Sequence, residues 1–148
     1  MIKLTAIAIV ALNALFTASP ADQWSATLIP SDGGTISGTA TAEGVGSADS
    51  TLVKISIQGA APNATLPWHI HNGACGATKA VFGPDSAYPK LTVSSAGTAE
   101  ASVTLPVRPS KTGTYAVQVH RGSTSPDKGM EVIACGSLKP VLNKMPDQ

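Results

Sequence analysis

The chain contains three histidines, His69, His71 and His120, and their spacing suggests a metal centre. Two of them stand in the run Trp68-His69-Ile70-His71-Asn72-Gly73-Ala74-Cys75. On an extended strand alternate side chains share a face, so His69 and His71 point the same way and Ile70 points the other. Such a pair grips an ion from one side, and an imidazole from a second strand completes a three-nitrogen cup. Neutral imidazoles suit copper, zinc, iron or nickel. The cup leaves coordination positions open for water or a small substrate. With copper it permits one-electron cycling, and with zinc it can activate a hydroxide. His120 qualifies as the third ligand by pattern. In 114–120 the residues Tyr115, Val117 and Val119 form an apolar face, and His120 lies on the opposite one with Ala116 and Gln118.

The elements that must hold these residues read as strands. Apolar and polar residues alternate with period two, and no segment beyond the first 21 residues keeps a helical stripe. Strands are expected at 23–29, 35–43, 51–58, 66–71, 91–93, 98–105, 114–120 and 131–138, with the tail fraying from Lys139. Gly73, Gly76, Gly83, Pro84 and Pro89 make 72–89 a loop. About eight short strands with regular turn signals imply an all-β sandwich or Greek-key barrel.

Residues 1–21 have the features of a secretory leader: Lys3, an apolar run from Leu4 to Phe16, then Ala-Ser-Pro-Ala ending at Ala21. That run is too short to span a bilayer, which needs about 20 residues. Cleavage would leave one domain, 22–148, with nine basic and nine acidic side chains. Such a balance offers no footprint for nucleic acid and no polybasic membrane patch. A secreted or periplasmic location is expected. There an even cysteine count suggests a bridge, Cys75 to Cys135, the rival reading being thiolate metal ligation. No G-x-S-x-G elbow and no phosphate-cradling glycine loop is present.

The segment from His69 to Cys75 resembles the copper-ligand strand of Cu/Zn superoxide dismutases, with its disulfide cysteine just downstream. Ala116-Val117-Gln118-Val119-His120 resembles the later strand that ends in another copper ligand, and Ile133-Ala134-Cys135-Gly136 the strand with the second cysteine. The resemblance spans most of 22–148. It implies a superoxide dismutase-like Greek-key β-barrel, copper on His69, His71 and His120, and a Cys75–Cys135 bridge. Two departures qualify it. The family's zinc ligands and bridging histidine lie after the first cysteine, where this chain has no histidine and only Asp85 as a carboxylate before Glu100, so no zinc site of that type is expected. The family's anion-orienting arginine, three residues before the second cysteine, is here Val132. Arg121, beside a ligand at a strand end, is expected to point elsewhere.

Four functions compete. The first is a copper-only dismutase-like protein acting on a small-molecule substrate. The second is a non-catalytic copper buffer or carrier that meets a copper donor or acceptor, with Asn72, Gln118 and Met130 as weak extra contacts. The third is a structural module resembling CHRD-type β domains, through the His-Ile-His run and the Val-His strand end. The fourth, a three-histidine zinc hydrolase, lacks an evident general-base relay.

Overall fold

The computed structural model describes residues 22–46, 49–122 and 130–142. The expected leader, 1–21, lies outside the described residues, as does most of the loop between Arg121 and Met130.

Alternation turns directly into strands. In β1 (Gln23–Pro30) Trp24, Ala26 and Leu28 are buried while Gln23, Ser25 and Thr27 are exposed. In β3 (Ser50–Gln58) Val53, Ile55 and Ile57 face the core and Lys54, Ser56 and Gln58 face solvent. With β2 (Ser37–Val45), β5 (Trp68–Asn72), β7 (Ala99–Leu105), β8 (Tyr115–His120) and β9 (Val132–Pro140), they form one antiparallel sheet in the order β5-β8-β9-β1-β2-β3-β7. The sheet curls into a half-barrel around a core that includes Trp24, Ile57, Trp68, Ile70, Leu105 and Val117. A two-stranded ladder of β4 (Thr65–Leu66) and β6 (Leu91–Thr92) stands beside it. The all-β barrel or sandwich expected from the pattern is what forms.

Three details differ from the expectation. The strand expected at 66–71 is two, β4 and β5, separated by Pro67, which has no N–H for a ladder. The chain does not fray from Lys139: β9 continues to Pro140, where Lys139 and Pro140 pair with Ser25 and Trp24. Strand β8 is buried on both faces, not one. Its inner face packs in the core, and its outer face is roofed by the loop from Gly73 to Pro89. That loop is tied down by the Gln118 side chain, which donates to Thr78 Oγ1 at 3.3 Å. Gly73 makes the roof possible. It has φ +97°, and a Cβ there would sit 2.5 Å from the Ala77 carbonyl oxygen.

The roof is also stapled. Cys75 and Cys135 are bonded, with Cα atoms 6.0 Å apart and a sequence separation of 60. Closing a loop of that length removes roughly 4 kcal/mol of freedom from the unfolded chain in the chain-entropy model. A Cys75→Ser/Cys135→Ser double variant is therefore expected to lose stability of that order, read as a lower urea midpoint. An unchanged midpoint would refute the estimate.

Candidate metal centre

Strand pairing brings the three histidines together. His69 lies opposite Gln118 and His71 opposite Ala116 across the β5–β8 ladder. His120 ends β8, where the register with β9 slips between Val119 and His120. Such an irregularity re-aims a side chain. The His120 N–H donates to the Pro67 carbonyl at 2.8 Å, which fixes that strand end over the beginning of β5. The three ring centroids are 5.4–5.7 Å apart, and one nitrogen from each ring lies within 4.8 Å of the other two.

Each ring has one nitrogen anchored and one left over. His71 Nδ1–H donates to the Lys79 carbonyl at 2.9 Å, and His120 Nδ1–H donates to the Met130 carbonyl at 2.9 Å. His69 Nε2–H donates to Asp85 Oδ1 at 2.7 Å. Carbonyls and carboxylates only accept, so these partners set the tautomers. The lone pairs are then on His69 Nδ1, His71 Nε2 and His120 Nε2. Those three nitrogens are buried and have no hydrogen-bond partner. Buried polar atoms are almost always satisfied, and three converging orphans of the same kind are what a cation would satisfy. The geometry thus brings together all three histidines expected from the sequence, in a site that can hold a metal ion.

Burial also favours the neutral form of two of the rings, His120 and His69. It pushes His120 down to about 4, against a smaller opposing pull from the Met130 carbonyl. Burial lowers His69 as well, partly offset by the negative charge of Asp85. At neutral pH the His120 and His69 lone pairs are therefore available without proton loss. There is a consequence for the metal-free protein. A folded pKa below the unfolded value of 6.5 means that the unfolded chain binds more protons in between, so stability is full above about 6.5 and falls as pH drops toward 4. At roughly 1.4 kcal/mol per unit, His120 contributes a loss of about 3 kcal/mol. Urea midpoints of metal-free protein at pH 7 and pH 4 test this, with His120→Gln expected to flatten the difference; equal wild-type midpoints would refute it.

Asp85 is a partner of the site that no spacing in the sequence signals. Pro84 leads into a short 3-10 turn, Asp85–Ala87, that carries the carboxylate to His69 while leaving it 75% exposed. The weak extra contacts expected of Asn72, Gln118 and Met130 do not form at the metal cup. The Asn72 side chain donates to the Ala80 carbonyl and the Gln118 side chain to Thr78, so both brace the roof. Met130 contributes its carbonyl to His120, while its side chain is half exposed. Arg121 points away as expected: its Nε and Nη2 donate to Glu131 at 2.7 and 3.2 Å. No protein-family model matches the chain, and no curated protein matches it either.

Proposed function

We propose that this chain is a copper-binding, superoxide dismutase-like protein, with His69, His71 and His120 holding a single ion. The observation that carries the reading is the set of three buried imidazole nitrogens without partners, each on a ring whose other nitrogen is anchored. An all-nitrogen cup favours copper over zinc among divalent ions by the usual affinity order. Asp85 occupies the far side of His69, and among the described residues no carboxylate joins the three-histidine group. Bound copper would supply one-electron cycling between Cu(II) and Cu(I), the chemistry that superoxide dismutation requires. The chain's own residues hold the three lone pairs in place and exclude bulk water from them. A disulfide fits an oxidising, extracytoplasmic compartment. No helix among the described residues is long and apolar enough to cross a membrane.

A second reading, a copper buffer or carrier, is favoured by Arg121. Its guanidinium is engaged by Glu131, so it is not turned toward the cup to steer an anion there. Superoxide consumption by the copper-loaded protein separates the two. Activity that disappears in a copper-exposed His71→Ala variant supports the dismutase; a loaded wild-type protein no faster than that variant supports the carrier.

A further inference from the structure

Of the four tyrosine and tryptophan side chains in the sequence, Tyr88 stands against the metal cup and Trp68 stands behind it. The Tyr88 ring meets the His69 ring edge-on, with centroids 5.2 Å apart and planes at 78°. It meets Trp68 in the same way, at 5.1 Å and 89°. His69, Tyr88 and Trp68 thus form a chain of rings in contact, leading from a metal ligand into the barrel core. Edge-to-face contacts at this spacing are favourable packing in themselves, which a phenylalanine would also supply. The polar ends say more. Tyr88 O–H donates to the Phe82 carbonyl at 2.6 Å, and Trp68 Nε1–H donates to the Pro89 carbonyl at 2.7 Å. Both acceptors lie on the same roof loop that brings Asp85 to His69. The loop therefore sets a readily oxidised phenol beside the ligand and an indole against that phenol, each with its N–H or O–H accommodated.

We propose that Tyr88, with Trp68 behind it, is an electron donor that draws oxidising equivalents away from the histidine ligands when hydrogen peroxide reacts with the reduced copper centre. The proposal rests on the copper reading above, and peroxide is the product of the dismutation considered there. The balance is as follows. Hydrogen peroxide takes two electrons and two protons and becomes two water molecules. Bound Cu(I) would supply one electron, becoming Cu(II), and Tyr88 the other. One proton is the phenolic proton of Tyr88 and the other comes from solvent, leaving a neutral tyrosyl radical. Trp68 can then pass an electron and its indole proton to that radical, restoring the phenol and moving the hole one ring further from His69. Without Tyr88 the second electron is drawn from a ligand imidazole, whose radical takes up water and gives a further electron to the Cu(II) just formed, leaving an oxo-imidazole.

The test is freeze-quench electron paramagnetic resonance on the full protein, loaded with copper, reduced with ascorbate and mixed with hydrogen peroxide. The expected result is a returning Cu(II) spectrum together with a narrow organic-radical signal that sharpens when the protein carries ring-deuterated tyrosine. Tyr88→Phe should lose that signal, and peptide mass spectrometry should find more oxygen added to His69, His71 and His120. Tyr115→Phe, at a tyrosine bonded to the Ser110 N–H instead, should change neither. A Cu(II) spectrum without an organic radical overturns the proposal and leaves copper binding standing. So does a radical insensitive to ring deuteration of both tyrosine and tryptophan, or one lost in Tyr115→Phe and kept in Tyr88→Phe. No Cu(II) spectrum at any stage overturns the copper reading, and this proposal with it.

Discussion

Replacing His120 with alanine is expected to abolish tight copper uptake, and with it the rise in stability that the ion confers. The ring is 2% exposed and presents Nε2 to the other two imidazoles. No described side chain stands ready to replace it. A ligand at a thousand times its dissociation constant stabilises the folded state by about 4 kcal/mol, and that increment should vanish. The metal-free variant is affected differently. It loses packing and leaves a cavity, but it also removes one buried nitrogen that lacks a partner. The two effects oppose each other, so the variant is expected to fold. Equilibrium dialysis and thermal unfolding with and without copper should show the same pattern for His69→Ala and His71→Ala. Full uptake by all three variants would dismiss the site.

Asp85→Ala should weaken copper binding without dismantling the fold. The carboxylate touches no ion in this arrangement; it fixes which nitrogen of His69 faces the cup. Without it the ring is free to protonate on either side and to turn. Losing such a partner lowers metal affinity by about 10- to 100-fold. Because the side chain is largely exposed, thermal stability of the metal-free protein should hardly move. Asp85→Asn is the sharper comparison. Its side-chain carbonyl can still accept from His69 Nε2–H, so it should retain much of the affinity that alanine loses. Competition against a chelator measures both, and equal losses for Asn and Ala would argue that charge, not orientation, is what Asp85 supplies.

How much of this was legible in the sequence depends on which atoms carry the information. Strands β1, β3 and β7 alternate clearly because one face is buried and the other is wet. The His69–His71 pair was readable from the two-residue repeat of a strand alone, although β5 is buried on both faces. His120 was readable only as a candidate, since pairing between β5 and β8, far apart along the chain, decides whether it arrives. Burial of both faces of β8 was not visible, because a roof loop has no periodicity. The break at Pro67 was signalled by the proline itself. Asp85 was visible as a residue but not as a partner: a loop of irregular backbone delivers it, and no spacing rule links it to His69. The Lys79 and Met130 acceptors were beyond reach in principle. They are main-chain carbonyls, and every residue has one.

The position of β9 has a consequence in time. It lies between β1 and β8, so Ser25 pairs with Lys139 and the two ends of the described chain are neighbours in one sheet. Contacts so distant along the chain form late and slowly in folding. The carbonyl that orients His120 comes from Met130, two residues ahead of this strand, and the cysteine that staples the roof lies within it. The three lone pairs are therefore brought to a common point only once β9 has docked. An ion captured there would report that the whole barrel has been assembled, which makes metal uptake a reporter of completed folding and leaves half-made chains unable to hold it.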